Sequence, residues 1–332
     1  MRYIIIGAGA VGGTIGARLH EGGHDVLLVA RGAHLTALRE RGLRFGTPEG
    51  SRTLRIPVTD GPEGVDLRPD DVLLLAVKTQ DTAAALAAWA PRPVAGGGTA
   101  GERLPLVCAQ NGVENERLAL RLFREVLAMC VWLPSDHLEP GRVTAGGTPV
   151  SGVLRLGGLP AGDGGERAAA VAADLAGSAF EATVDADVMR WKYAKLLSNL
   201  GNALDAVAGR VDRDPLAGLQ RRVTAEGEAV LAAAAIPHHD PGELVRPAGE
   251  VMRQAPVAGA ERSGGSSWQS LARGTGSIET DHLNGEIVLL GRLHGVPTPL
   301  NEALQRLAGT FARTGRRPGS LTAEERAALA AL

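Results

Sequence analysis

The sequence predicts an α/β protein: an N-terminal Rossmann-type doubly wound sheet followed by an all-helical C-terminal domain. Three observations carry that expectation. A GxGxxG run, Gly7-Ala8-Gly9-Ala10-Val11-Gly12, follows directly on the apolar segment Tyr3-Ile4-Ile5-Ile6. Further apolar runs alternate with helical patterns through the first half of the chain. Beyond about residue 185 the periodicity is helical.

Residues 3–6 form the expected first strand and residues 11–21 the helix after it. Between them the first glycine permits a tight turn and the second lets a pyrophosphate approach the backbone. The third lets helix and strand pack closely. The helix N-terminus offers N–H groups and partial positive charge to phosphates. Gly7, Ala8, Gly9, Ala10, Val11 and Gly12 are therefore candidate cofactor-binding residues. Residues 26–29 read as the second strand. Residues 72–77 and 104–109 are continuous apolar runs, as parallel strands buried on both faces require. A helix is expected over 82–89 between them. Residues 150–156 and 181–184 read as strands extending or flanking the sheet, with a helix over 168–176. The expected domains are 1–184 and 185–332. In the second, residues 187–204, 225–235 and 278–293 have helical periodicity. Residues 322–332 form a last helix with Ser320 or Thr322 as N-cap. Residues 255–267, rich in Pro, Gly and Ser, read as a loop inside the helical domain.

The 332 residues suffice for two domains. The 35 basic and 37 acidic residues are interspersed, so no polyanion-binding surface is announced and nucleic acid is not an expected partner. Cys108 and Cys130 lie in apolar segments without metal-ligand spacing. They read as buried thiols in a reducing compartment, with no metal expected. No signal peptide or bilayer-spanning stretch is visible, so the expected location is cytoplasmic, with no membrane partner.

An NAD site normally has an acidic residue ending the second strand. Here that strand ends Leu28-Val29-Ala30-Arg31. A guanidinium grips a 2′-phosphate through paired hydrogen bonds, so NADPH is the expected cofactor and Arg31 its ligand. Three other segments place polar groups where ligands bind. Lys78 ends a buried strand and either neutralises a cofactor phosphate or merely marks the strand exit. Asn111, in Gln110-Asn111-Gly112, suits a carboxamide, ribose or substrate oxygen, or simply a turn. In the helix from Trp191 to Asn202, Lys195 and Asn199 share one face at i and i+4, while Lys192 competes for the same role. A fourth segment, from Ser263 to Gly285, holds Ser266, Ser267, Glu279, Asp281 and Asn284, with Glu279 and Asp281 opening a long helix.

Together these segments resemble the ketopantoate reductase family (2-dehydropantoate 2-reductases) over nearly the whole chain. The resemblance rests on the N-terminal GAGAVGG, Lys78, Gln110-Asn111-Gly112, the Trp-containing helix with Lys195 and Asn199, and Ser266-Ser267 followed by the Gly276-Ser277-Ile278-Glu279-Thr280-Asp281 run. Gly295 to Pro299 lie downstream. The resemblance implies an active site in a cleft between the two domains and hydride transfer from NADPH to the ketone of a 2-oxo acid. It implies Lys195 as general acid, and Glu279 as the group that bonds the substrate hydroxyl and positions the lysine, also touching cofactor. Asn111, Asn199, Asn202 and the Ser266-Ser267 pair would hold cofactor or substrate.

The chain departs from the family pattern at Val131-Trp132-Leu133-Pro134, where a threonine-rich segment with a histidine is common. Asn202 stands one position early relative to the lysine. These departures leave a second expectation open: the same chemistry on a different 2-oxo acid, ketone or cyclic imine. A third is a non-catalytic NADPH-binding sensor, which would have no use for a proton donor. A second copy of the chain is a candidate partner, in a homodimer, beside the small-molecule substrate.

Overall fold

The computed structural model describes residues 1–162, 164–209, 215–260 and 264–332. Contacts divide the chain into two compact units: Met1–Lys192 with Gly242–Glu261, and Tyr193–Pro241 with Arg262–Leu332. The division therefore falls inside a helix, past the expected 184/185 boundary, and a later segment returns to the first unit.

The first unit begins with β1 (Arg2–Ile6), α1 (Ala10–Glu21), β2 (Asp25–Val29) and α2 (Gly32–Arg41). A hairpin of β3 (Leu43–Thr47) and β4 (Gly50–Leu54) follows, then β5 (Val58–Thr59), β6 (Asp71–Leu75) and α3 (Thr79–Trp89). Next come α4 (Ala100–Arg103), β7 (Pro105–Cys108), α5 (Asn115–Ala119) and β8 (Glu125–Trp132). The unit continues with β9 (Ser135–Asp136), β10 (Arg142–Ala145), β11 (Gly147–Pro149), β12 (Val153–Leu159), α6 (Gly165–Ala176) and β13 (Glu181–Val184). Eight strands form one sheet in the order β13-β12-β8-β7-β6-β1-β2-β5. Every pairing is parallel except β8 with β12. The period-2 side-chain alternation of strands explains the two cores. Tyr3 and Ile5 pack with Ile15, Leu28 and Leu74 on one face, and Ile4 and Ile6 with Leu73, Trp89 and Leu106 on the other. The strand order reverses between β1 and β6, and α/β folds bind ligands at such a switch point.

Several elements depart from the expected pattern. The strand expected over 150–156 is instead β12, because Ser151 turns away to donate its N–H to the Ala179 carbonyl at 2.8 Å. A second sheet, β4-β3-β10-β9, was not expected. Neither was β14 (Met252–Gln254), which pairs antiparallel with β11. Much of the expected 255–267 loop therefore belongs to the first unit: Ala255 N–H donates to the Gly146 carbonyl at 2.8 Å, and Arg142 donates to that of Gly259. Ser263, in the same stretch, lies outside the described residues.

α7 (Val188–Asn199) spans the division. Beyond it lie α8 (Asn202–Ala208), α9 (Leu219–Ala233), α10 (Pro241–Val251), which leads back to β14, and then α11 (Ser266–Arg273), α12 (Asn284–His294), α13 (Pro299–Thr314) and α14 (Ala323–Ala330). The single helix expected over 187–204 is broken at Leu200-Gly201. A Cβ on Gly201 would lie 2.9 Å from the Gln220 side chain, so α9 approaches closely there. The Leu200 carbonyl accepts from Asn284 Nδ2 at 3.0 Å. The helix expected over 278–293 is also two pieces, a 3-10 turn Glu279–His282 and then α12, separated by Leu283 at φ −112 and ψ −86. Glu279 and Asp281 thus sit in the turn, not in the helix. At the end Thr322, one of the two expected N-caps, caps α14 and closes a capping box with Glu325.

Candidate active site

In the first unit the loops after β1, β2, β6 and β7 gather at the carboxyl ends of adjacent strands. Gly7 has φ +103, and a Cβ there would lie 2.7 Å from Val77 N in the loop after β6. A Cβ on Gly12 would lie 2.1 Å from the Gly7 carbonyl oxygen, so α1 packs on β1 only because no side chain intervenes. Gly9, the N-cap of α1, is different. The nearest atom to a Cβ there is His137 Nδ1, at 3.8 Å. No side chain caps α1, and its first turn holds no acidic residue. An uncapped helix end beside a glycine whose nearest neighbour is at ordinary contact distance fits a dinucleotide pyrophosphate.

Sequence reasoning missed what supports this loop. His34 Nε2 donates to the Ala8 carbonyl at 2.8 Å, while Nδ1 accepts from the Gly141 N–H at 2.9 Å, which fixes the tautomer. The His137 ring lies 4.2 Å from that of His34, centroid to centroid. Nothing local marks this pair, because α2 and the loop after β9 bring it together.

Arg31 is the N-cap residue of α2, with its side chain 81% exposed. Its Nη2 donates to Asp81 Oδ2 in the first turn of α3 at 2.9 Å. Asp81, like His34 and His137, has no part in the sequence expectations. Lys78 is the half-buried N-cap residue of α3. Asn111 is half-buried after β7, its carbonyl held by Asn115 Nδ2 at 3.2 Å. Lys192 is buried, and its Nζ donates to Glu116 and to the Gln110 carbonyl. Trp191, beside it, donates from Nε1 to Asp185 at 2.7 Å under the Arg155 guanidinium.

In the second unit Lys195 is half-buried and Asn199 buried, one turn apart on α7. Asn199 Oδ1 accepts from Asn202 Nδ2 at 3.3 Å. Asn202 in turn lies against Gly265, whose Cβ would meet its Oδ1 at 3.3 Å, and α8 packs on α11. Gly265 caps α11, so Ser266 and Ser267 follow in its first turn, Ser266 half-buried and Ser267 buried. Two buried atoms in this cluster, Asn199 Nδ2 and Ser267 Oγ, have no hydrogen-bond partner among the described residues. Glu279 is buried in its 3-10 turn. Burial pushes the Arg273 guanidinium below its ordinary value against the opposing pull of the Glu279 charge. Asn284 is structural: Nδ2 donates to Leu200 and to Asn301 Oδ1, both at 3.0 Å.

The chain matches the family model described as ketopantoate reductase PanE/ApbA over residues 3–159, and the model for the C-terminal part of the same family over 187–312. It belongs to the ketopantoate reductase family. It is 32% identical over 312 residues to the 2-dehydropantoate 2-reductase of Archaeoglobus fulgidus, covering 92% of this chain and 96% of that one. It is 30% identical over 315 residues to the enzyme of that name from Mycobacterium tuberculosis, covering 90% and 94%. A PanE/ApbA family ketopantoate reductase from Ralstonia eutropha superimposes with TM-score 0.73 at 30% identity, covering 96% and 100%. D-mandelate dehydrogenase in complex with NADH shares the fold at 22% identity, with TM-score 0.74 over 96% of this chain and 100% of that one. Membership in the ketopantoate reductase family makes the protein a nicotinamide-dependent oxidoreductase acting on a CH–OH group. No helix among the described residues is long and apolar enough to cross a membrane.

Proposed function

We propose that the protein reduces the ketone of a 2-oxo acid with NADPH, and that 2-dehydropantoate is its substrate. The observation that carries this is the pair of buried, unpartnered polar atoms, Asn199 Nδ2 and Ser267 Oγ. Each costs about 1–3 kcal/mol while it lacks a partner. Both belong to residues that the family resemblance gives to substrate, and a 2-oxo acid offers them carboxylate and carbonyl oxygens.

Bound NADPH supplies the hydride to the ketone carbon. Lys195 donates the proton to the ketone oxygen as negative charge develops there, and recovers a proton from solvent afterwards. Glu279 accepts a hydrogen bond from the resulting hydroxyl, and its charge favours the ammonium form of Lys195. Asn199, Asn202, Ser266 and Ser267 hold the substrate's oxygens. Asn111 and Lys78 hold the cofactor, and Arg31 takes its 2′-phosphate.

NADPH oxidation with 2-dehydropantoate, followed by absorbance, tests this directly. Lys195→Ala is expected to lower kcat by about 10²–10⁴-fold, with NADPH affinity within about twofold of wild type. A wild-type protein that binds NADPH but turns over no 2-oxo acid would be a cofactor-binding sensor instead. Trp132 favours a second substrate reading. It ends β8 half-buried, packed against the apolar clusters that hold Trp191 and Met252, where an indole suits a 2-oxo acid with a bulkier apolar group. Higher kcat/KM on such an acid than on 2-dehydropantoate would select it.

A further inference from the structure

A buried polar network behind the end of β7 has no part in the chemistry above. Lys192 is 3% exposed and Glu116 fully buried. Lys192 Nζ donates to the Glu116 carboxylate and, at 3.0 Å, to the Gln110 carbonyl. Gln110 Nε2 donates to Thr82 Oγ1 at 3.0 Å, and Thr82 Oγ1 to Asn115 Oδ1 at 2.7 Å. Asn115 Nδ2 donates to Thr79 Oγ1 and to the Asn111 carbonyl, both at 3.2 Å. One chain of hydrogen bonds thus runs from Lys192 to the two loops that carry Lys78 and Asn111.

Stability alone does not explain this arrangement. Taking both charges out of water costs several kcal/mol, and apolar residues of similar volume often replace such a pair without loss. The network is also incompletely satisfied: Glu116 Oε2 and Gln110 Oε1 have no hydrogen-bond partner among the described residues. Burial and the Glu116 charge push the neighbouring Cys108 thiol up, against the opposing effect of Lys192, so that thiol stays protonated and adds no charge of its own. Apolar replacements would fill the same space. They would not hold the Gln110 carbonyl, which immediately precedes Asn111.

We propose that Lys192 is a positioning residue for the cofactor. Held by Glu116, its ammonium fixes the backbone of the Asn111 turn. Through Gln110, Thr82 and Asn115 that turn stays aligned with the start of α3, so Asn111 and Lys78 meet the dinucleotide together. The inference rests on the function proposed above, in which those two residues touch NADPH.

The test compares wild type, Lys195→Ala, Thr82→Val and the double variant Lys192→Met/Glu116→Gln. Each is measured for melting temperature, NADPH Kd by calorimetry, and KM for NADPH and for the 2-oxo acid. The double variant leaves no unpaired buried charge and is expected to melt within about 3 °C of wild type. Its NADPH Kd and KM are expected to rise about 10-fold, with the KM for the 2-oxo acid unchanged. Thr82→Val removes the middle link without touching a charge and is expected to weaken NADPH about fivefold, so the question stays open to refutation if the double variant does not fold. A merely structural role would lower the melting temperature or the yield and leave the KM for NADPH of surviving molecules unchanged. Wild-type NADPH affinity in either folded variant overturns the proposal. Absence of NADPH binding by the wild type, by contrast, would sink the proposed function itself.

Discussion

Gly9 and Gly12 belong to one motif, yet the structure assigns them opposite consequences on substitution by alanine. At Gly12 a methyl would sit 2.1 Å from the Gly7 carbonyl oxygen and 2.9 Å from both Ala76 Cβ and Ile5 Cγ2. The carbonyl is backbone and cannot rotate aside, so α1 must lift from β1. Overpacking of this kind costs about 3 kcal/mol, the upper end of the usual range. In a unit of this size that lowers the melting temperature by about 6–12 °C. At Gly9 the backbone, φ −74 and ψ −154, is open to any residue, and the nearest atom is 3.8 Å away. Alanine there is neutral or stabilising by about 0.4–1 kcal/mol, because it restricts the unfolded chain. The same methyl would occupy the place where a pyrophosphate reaches the backbone, weakening NADPH by about 10–100-fold. Scanning fluorimetry and calorimetric titration of both variants separate the two effects. A Gly9→Ala protein with wild-type affinity would refute the assignment of this loop to phosphate, and an unshifted Gly12→Ala would refute the packing account.

Two further outcomes follow from the same unit. Arg31→Ala is expected to raise the KM for NADPH by about 10–100-fold, the scale of lost charge-assisted hydrogen bonds, and to leave NADH unchanged; the surface pair with Asp81 is too exposed to alter this. Equal loss for both cofactors would count against a 2′-phosphate contact. Burial holds the His34 pKa below its ordinary value, so the folded state resists protonation. Its contribution to stability is therefore complete above the unfolded pKa of about 6.5 and is lost as pH falls below it. Thermal melts between pH 7.5 and about 5 should show a steeper decline for wild type than for His34→Gln; parallel declines would remove His34 as the cause.

Elements set by local pattern were legible in the sequence. Tyr3 to Ile6, Val72 to Leu75 and Leu106 to Cys108 are apolar without interruption because both faces of those strands are covered. Thr322 is one of two N-cap candidates that the sequence offers for the last helix, and it holds that place. What was not legible depends on distant partners. Helical periodicity continues through Leu200, and only Gln220 and Asn284 reveal the break there. Pairing of β14 with β11 joins segments about a hundred residues apart, with no local sign in either. α13, the longest helix, owes its start to Glu226, which accepts from the N–H groups of Leu300 and Asn301 at 2.9 and 3.0 Å. Lys192 and Lys195 were rivals on one helix face in the sequence. Glu116, far away in the chain, engages Lys192, and no local pattern announces that contact.

The asparagines of the helical unit show why composition cannot replace accounting of each polar atom. Asn301 donates from Nδ2 to the Val223 carbonyl and to Glu226, and accepts from Asn284 at Oδ1. It is fully buried, and these bonds join α9, α12 and α13. Asn199 is nearly as buried, yet its Nδ2 meets nothing among the described residues. Burial imposes a desolvation cost on both residues; Asn301 is compensated at both amide atoms within the fold, Asn199 only at Oδ1, by Asn202. A ligand oxygen can offset that cost at Asn199, as it can at the Ser267 hydroxyl. Replacing Asn301 by leucine therefore removes its side-chain bonds to Val223, Glu226 and Asn284, while Glu226 keeps the backbone N–H groups of positions 300 and 301. Replacing Asn199 by leucine removes an uncompensated donor and only the bond from half-buried Asn202, so it should preserve the melting temperature while the KM for the 2-oxo acid rises. Loss of stability in Asn199→Leu, with an unchanged KM, would show that its amide is held within the protein and would withdraw the substrate role argued from it.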